Sequence, residues 1–422
     1  MKLKLFFLLS LLSTAISQSQ TFDDGVLEYT VTDATNNYVS VSRFNDICPT
    51  GDLVIPETVT DNSINYTVTE IAQFAFNACP NLISVSLPNS ITVINTAAFR
   101  NSSGLTTINL PNNLNRIEDQ GFSGCSSLTN VTFPTGLTSL RQRVFEDCTS
   151  LTSVNLPDSV NFLGFEAFKG CTSLTDVSLS NGMTNINASL FFGCSSLINV
   201  TIPDSVTSIS PFGFSGCTSL ITVNLPSNLD IIWIRAFFGC TNLTNINFPS
   251  TLTSIGEQSF FNTNLSDINI PESVTTIDSQ AFQSCDNLTN VTVNWNTPLT
   301  IDADIFANVT INNVSLTVPE STIPDYQAAA VWQDFGSFNE LSLTDFQLSE
   351  TIKLYPNPTS DFLKIDLDNA SELKTAIIYN YLGQIISEEN TYQIDVSGYS
   401  KGIYFAKIKT TKGKTTKKFI VE

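Results

Sequence analysis

Residues 148–170 read CTSLTSVNLPDSVNFLGFEAFKG, and Cys171 then opens the same sentence again. Leu151 recurs at intervals of 23 residues as Leu82, Leu105, Leu128, Leu174, Leu197, Leu220 and Leu243; one residue is then dropped and the series resumes at Leu265 and Leu288. A phenylalanine column keeps the same rhythm: Phe76, Phe99, Phe122, Phe145, Phe168, Phe191, Phe214, Phe237, Phe260, Phe282 and Phe306. A fixed period between 20 and 50 residues is the signature of a solenoid. Within the unit, Leu151-x-x-Val154-x-Leu156 predicts a strand with three side chains facing one core. Pro157 closes that strand because it has no amide hydrogen for a continuing ladder. Val160-x-x-Leu163 begins the return path and Ala167-Phe168 plugs the interior. One repeat cannot close such a core alone, so neighbours must stack on both of its flanks.

Outward from the repeat, the chain changes character at both ends. Lys2 and Lys4, the apolar run from Leu3 to Leu12 and Ala15-Ile16-Ser17 form a signal-peptide pattern over residues 1–17. Its apolar run is too short to span a bilayer, and no later segment has about 18 uninterrupted apolar residues, so the mature chain is expected not to be an integral helical membrane protein. Residues 18–65 are a poor copy of the repeat, with Leu53-Val54-Ile55-Pro56 resembling its strand, and are read as an N-terminal cap. The repeats run over 66–293. Residues 294–345 break the period and are expected to hold a last repeat and a C-terminal cap, with a short helix over Asp325–Trp332. A linker follows at 346–352. The final 70 residues, 353–422, have no repeat and carry ten lysines, whereas residues 18–352 carry only Arg43, Arg100, Arg116, Arg141, Arg143, Lys169 and Arg235.

With 19 basic and 39 acidic residues the chain is strongly acidic and repels phosphate backbones, so no nucleic-acid partner is expected. There is no histidine, which removes the usual general base and metal ligand. The sequence lacks a nucleophile elbow, a phosphate loop and a zinc-protease motif. Acidic pairs such as Glu118-Asp119 and Glu146-Asp147 fall on the outside of single turns. No enzyme activity, cofactor or metal is expected. Cys79, Cys125, Cys148, Cys171, Cys194, Cys217, Cys240 and Cys285 follow the repeat, a spacing that suits a buried, reduced column of small apolar side chains rather than a zinc site. Ser102 and Thr263 stand in that column where bridging would need cysteine. Cys48 lies in the cap and is either free or paired.

Two surfaces are candidates for recognition. The residues flanking the strand valine form a polar, uncharged face that includes Asn155, Asn224 and Asn247. It reads either as a solubilising ladder or as a hydrogen-bonding floor for a peptide or glycan. The aromatic anchors that dominate interface energy lie elsewhere. Phe162 and Phe165 flank Leu163, Phe212 precedes Gly213, Trp233 follows Ile232, and Phe192, Phe238 and Phe261 each follow the core phenylalanine of their turn. These either shield the turn edge or form a partner patch.

The recurrent L-x-x-V-x-L-P…V-T-x-I-x-x-x-A-F-x-x-C, with close copies at 197–217 and 220–240, resembles the BspA-like class of leucine-rich repeat. Ser180 in place of the proline and Val144, Leu190 and Ile305 in place of the small residue before phenylalanine are departures in single turns. The order Tyr355-Pro356-Asn357-Pro358, Leu382-Gly383 and Gly402-Ile403-Tyr404 resembles the type A C-terminal sorting domain of the type IX secretion system. Together the resemblances imply a mainly β protein: a leucine-rich-repeat solenoid of about ten 23-residue repeats followed by a small β-sandwich of immunoglobulin-like form. They also imply a bacterium of the Bacteroidetes group, handling by the type IX machinery through 353–422, and residence outside the cell or on the outer-membrane surface. The expected function is an adhesin-like binding scaffold for a protein or glycan at a cell or host surface. The alternatives are a structural component of a surface layer or matrix, and a carbohydrate-capturing accessory protein.

Overall fold

The computed structural model describes residues 20–319, 321–341, 352–367, 372–410 and 413–422. The expected signal peptide, and the expected linker apart from Ile352, lie outside the described residues. The chain divides into two compact units, one running through Leu243 with Gln258–Thr263 added, the other made of Thr244–Glu257 and Asn264–Glu422. Both contain the same coil, and coils recur over residues 70–341, so the fold is a β-solenoid.

The coil at 148–170 shows how the sequence makes it. Ser153–Asn155 is a strand that pairs in parallel with Asp176–Ser178, residue for residue at a separation of 23. Leu151, Val154 and Leu156 are buried while Asn155 is exposed, as the period-2 pattern requires. The Leu156 amide donates to the Ser178 carbonyl, and Pro157 ends the strand by accepting the Val160 amide in a turn. A second, two-residue strand, Phe162–Leu163, pairs in parallel with Ser139–Leu140. Val160, Leu163, Ala167 and Phe168 fill the interior at 2 % exposure or less.

Because equivalent side chains sit one above another, the core is made of ladders of identical residues. In the first unit the rings of Phe76, Phe99, Phe122, Phe145, Phe168, Phe191, Phe214, Phe237 and Phe260 form one stack, with centroids 5.2–5.8 Å apart and planes within 19° of parallel. Each ring is fully buried, contributing about 1.5–3 kcal/mol by transfer and about 0.5–1.5 kcal/mol more per offset-stacked pair, before conformational entropy is subtracted.

At the N-terminal end, Thr21–Asp23, Leu27–Asp33 and Tyr38–Arg43 form an antiparallel meander whose last strand pairs in parallel with Ile64–Ile71. Ile64–Ile71 in turn pairs with Val93–Ile94, the first of the short coil strands. Gly51–Val54 pairs in parallel with Leu82–Ser86, so the Leu53 segment is a true first rung of the other sheet. Tyr29, Val39, Val41, Tyr66 and Val68 cover the first coil from water.

In the second unit Asp267–Ile270, Asn290–Val293, Ser315–Pro319 and Ser337–Leu341 form a four-stranded parallel sheet. The strand at Ser315–Pro319 keeps the rule of the repeat, alternating Leu316 and Val318 inward before a proline. The helix forms at Ile323–Ala328, two residues earlier than the sequence pattern placed it, with Pro324 in its first turn. Trp332 belongs instead to a 3₁₀ turn, Trp332–Asp334. Trp332 packs edge-on against Trp295, Phe306 and Tyr326. Its indole N–H donates to the Leu299 carbonyl, and the Tyr326 hydroxyl to the Trp295 carbonyl.

Residues 352–422 form two antiparallel sheets. One orders Lys353–Tyr355, Phe362–Asp366 and Gln393–Asp395; the other orders Ile385–Glu389, Leu373–Asn380, Gly402–Thr410 and Gly413–Val421. Leu363, Ile365 and Ile394 from the first sheet and Ile378, Tyr404, Ala406, Ile408 and Phe419 from the second share one core.

Candidate functional site

The surface of interest is built by the turn that follows each short strand. In the coil around Phe145, the amides of Arg143, Phe145 and Asp147 donate to the carbonyls of Phe165, Ala167 and Lys169 of the next coil, at 2.7–3.0 Å. The amides of Glu146 and Cys148 fold back to the Arg143 and Phe145 carbonyls. This alternation needs two left-handed residues per turn. The first recurs as Gln120, Arg143, Glu166, Ser189, Phe212, Arg235 and Gln258, and the second as Asn101, Gly124, Asp147, Gly170, Gly193, Gly216 and Gly239. Gly170 is doubly constrained: its φ is +73°, and a Cβ there would meet the Asp147 carboxylate at 2.1 Å.

The side chains that this backbone presents change sharply along the edge. Around the middle coils they are ionic. Arg116 and Arg141 hold Glu118 at 2.9 and 3.6 Å. Lys169 bridges Glu146 at 3.0 Å and Glu166 at 3.2 Å, and Arg143 pairs with Glu166 directly. Burial works against the Glu166 carboxylate, but the bonds from Arg143 and Lys169 win and hold its carboxyl below the usual range. Such a carboxylate stays ionised and is a poor proton donor. In the second unit Asp278 goes the other way, raised by burial with Glu257 and Asp302 nearby.

Further along, the edge turns aromatic. Phe192 meets Phe212 edge-on at 6.4 Å, and Phe238 stacks on Phe261 at 4.7 Å with planes 5° apart. Arg235 joins the two pairs, its Cζ 5.7 Å from the Phe212 ring centre and 5.6 Å from that of Phe238, inside cation–π range. Its Nε donates to Gln258 Oε1 at 2.5 Å. Phe192 is 39 % exposed, and Phe212, Phe238 and Phe261 are half-buried. Trp233 is 45 % exposed on the same turn, two residues before Arg235; among the described residues no ring pairs with it. Phe162 and Phe165 are also exposed, Phe162 beneath the Arg141 guanidinium at 4.9 Å.

The structure thus brings Phe192, Phe212, Phe238 and Phe261 into one patch and leaves Trp233 at its margin. Arg235 and Gln258 were missed by reading the aromatics alone. The signal was in the spacing: Arg235 stands 23 residues after Phe212, Gln258 another 23 on, and in a stack such residues are neighbours.

Asn155, Asn224 and Asn247 are exposed on the long-strand face, a separate face of the coil. There several polar groups are hydrogen-bonded from coil to coil. Thr222 Oγ1 donates to Asn199 Oδ1 at 2.7 Å, Asn224 Nδ2 to Thr201 Oγ1 at 3.2 Å, and Thr152 Oγ1 to the Thr129 carbonyl at 3.3 Å.

The cysteine column requires two corrections. Cys79 is not a free member of it: it forms a disulfide with Cys48 of the cap, with Cα atoms 5.2 Å apart. Cys48 enters from outside the repeat and is not a stacked neighbour of Cys79 in the column. The remaining thiols are also more than small apolar filling. Cys125, Cys148, Cys171, Cys194, Cys217 and Cys240 each donate to the phenylalanine carbonyl of the preceding coil at 3.1–3.2 Å. Ser102 does the same to Phe76 at 2.6 Å. Burial pushes the Cys125, Cys194 and Cys240 thiols up to about 12 and raises Cys148, Cys171 and Cys217 well above the ordinary value.

Among the described residues no cluster of three or more Cys, Asp or Glu side chains is arranged to hold a metal ion, and no helix is long and apolar enough to cross a membrane.

These coils place the chain in a known class. The BspA type leucine-rich repeat region matches in six copies spread over residues 56–328, and the secretion system C-terminal sorting domain matches residues 353–422. The chain belongs to the BspA-type leucine-rich-repeat family and ends in a type IX sorting domain, which directs export to the cell surface or the extracellular space. Among solved structures it is similar to a leucine-rich repeat protein from Bacteroides ovatus, at 24 % identity and a TM-score of 0.49 over 76 % of this chain and 99 % of that one. The pneumococcal vaccine antigen PcpA is similar at 19 % identity and a TM-score of 0.48, over 76 % of this chain and 98 % of that one. A leucine-rich repeat protein of T. pallidum is similar at 28 % identity and a TM-score of 0.41, over 54 % of this chain and 92 % of that one. No curated protein matches.

Proposed function

We propose that this protein is a non-catalytic binding scaffold, adhesin-like, that recognises a protein or glycan at a cell or host surface through the aromatic edge of its turns. The observation that carries the reading is the patch formed by Phe192, Phe212, Arg235, Phe238 and Phe261, where partly exposed rings lie within cation–π range of one guanidinium. Aromatic side chains and arginine are the residues in which interface energy concentrates. The ladders of the long-strand face offer less, because several of their Asn and Thr groups already bond one another. Of the carboxylates on the turn edge, Glu118, Glu146 and Glu166 are engaged with arginine or lysine, an arrangement that supports a structural rather than an acid–base role.

Binding of the purified, fluorescently labelled protein to whole bacterial and epithelial cells tests this. The variant Phe238→Ser/Phe261→Ser keeps the buried stack intact, and its circular dichroism is expected to match the parent. Its cell binding is expected to fall at least about tenfold, the loss of one or two interface hot spots. Undiminished binding by a folded variant would move the function off this edge.

A further inference from the structure

We infer that the aromatic edge receives a protein segment carrying an aspartate or glutamate between apolar side chains, and that Arg235 seats its carboxylate. This rests on the edge being the binding surface and names the chemistry of what binds there.

The charge distribution is the first argument. The chain has a net charge of −20, yet the basic side chains of its repeat region gather on one side of the coil. Arg100, Arg143, Lys169 and Arg235 lie in the turns, Arg116 and Arg141 at the short strands that lead into them, and Arg43 reaches the turn carbonyls of Phe74 and Asn77. The long-strand face presents Asp176 among its exposed positions and none of these cations. The turn side also carries Glu118, Glu146 and Glu166, so it is mixed in sign, and an acidic group finds a cation there only where that cation is not already paired.

The second argument is pairing. Arg43, Arg116, Arg141, Arg143 and Lys169 each have a carboxylate within 4 Å. Among the described residues, Arg100 and Arg235 have none, and Arg235 is the one beside rings. Its guanidinium lies within cation–π range of both Phe212 and Phe238, and its Nε is used by Gln258. That leaves its two terminal nitrogens, a pair of donors able to bind a carboxylate with two parallel hydrogen bonds. The neighbouring rings offer apolar surface to the residues flanking the acid.

The same geometry disfavours an acidic sugar. A saccharide needs several converging donors and acceptors to fix its hydroxyls. Here the Gln258 amide oxygen already accepts from Arg235, and Ser215, three residues after Phe212, is buried.

The experiment uses the full chain immobilised for biolayer interferometry. The probes are short synthetic peptides with a central Asp or Glu flanked by Leu, Ile, Phe or Tyr, each paired with its Asn or Gln counterpart, and a polyuronate oligosaccharide. Acidic peptides are expected to bind at least about tenfold more tightly than their amides, with the preference lost in Arg235→Gln and reduced in Arg235→Lys, which keeps charge but not the fork. Equal binding of acids and amides, no binding of any peptide, or Arg235-dependent binding of the oligosaccharide alone would overturn the inference. The Phe238→Ser/Phe261→Ser variant separates the two readings. If it loses cell binding while Arg235→Gln leaves peptide preference unchanged, the edge stands and the carboxylate does not. If it binds cells as the parent does, both fall.

Discussion

Replacing Cys171 by serine is expected to cost less stability than replacing it by alanine, the reverse of what an apolar filler would show. The Cys171 side chain is fully buried, and its thiol donates to the Phe145 carbonyl at 3.2 Å. That carbonyl also accepts the Cys148 amide, so removing the thiol does not orphan it. Alanine leaves a void the size of one heavy atom, worth about 1 kcal/mol by analogy with a deleted methylene, and forfeits a weak sulfur hydrogen bond of under about 1 kcal/mol, for a total of about 1–2 kcal/mol. Serine loses some apolar burial, but its hydroxyl keeps the donor in place. Desolvation of about 1–3 kcal/mol is then largely offset by the retained bond, leaving about 0–1 kcal/mol. The chain contains its own precedent in Ser102, fully buried and bonded to the Phe76 carbonyl at 2.6 Å. Urea unfolding followed by far-ultraviolet circular dichroism, on Cys171→Ser, Cys171→Ala and the parent, measures the ranking. A serine variant less stable than the alanine variant by 1 kcal/mol or more would show that the column is packing alone and that its hydrogen bonds contribute nothing net.

Other consequences follow from the same structure. The buried thiols are neutral when folded, with Cys125, Cys194 and Cys240 raised from 9.0 to about 12. A raised folded value means that their stabilising contribution is whole below pH 9 and is lost as pH climbs toward 12, because only the unfolded chain ionises readily in that window. The urea midpoint is therefore expected to fall between pH 8.5 and 10.5, and to fall less in a variant with those three cysteines changed to serine; identical slopes would contradict burial of the thiols. In native conditions the seven cysteines outside the disulfide are expected to resist Ellman's reagent and to react together on unfolding, whereas several fast-reacting groups would place them outside the core. Changing Cys48 and Cys79 together to alanine removes a bond that closes a 31-residue separation and is expected to cost about 2–4 kcal/mol at the cap, read as a lower melting temperature matched by the reduced parent. A chain truncated after residue 352 is expected to accumulate inside the outer membrane, as judged by fractionation and immunoblotting; normal surface exposure would show that residues 353–422 are dispensable for export.

The repeat made much of this architecture legible because, in a stack, sequence separation becomes spatial adjacency. Phe145 and Phe168 differ by 23 in the chain and are neighbours in space for that reason alone, so the buried columns could be written down before any coordinate. The alternation around Val154 fixed which strand residues face water. The sequence pattern also marked Phe192, Phe238 and Phe261 as one column, and the resemblance of residues 353–422 to a sorting domain needed only the order of its short motifs.

What the period does not encode had to come from the folded chain. The Cys48–Cys79 bond joins an irregular segment to the first regular coil, and no spacing rule connects the two. The thiol hydrogen bonds depend on rotamers: composition cannot distinguish a cysteine that fills space from one aimed at a carbonyl. The rung at Ser315–Pro319 hid behind a longer loop, its Leu316 and Val318 out of step with the earlier columns. Arg235 is the clearest case. As a residue it is one cation in an acidic chain; only the left-handed turns, set coil on coil, bring it within cation–π range of both Phe212 and Phe238. Local pattern determines which residues enter the core, since burial depends on periodicity, but the direction of a side chain at the surface is decided by the neighbours that stacking brings to it.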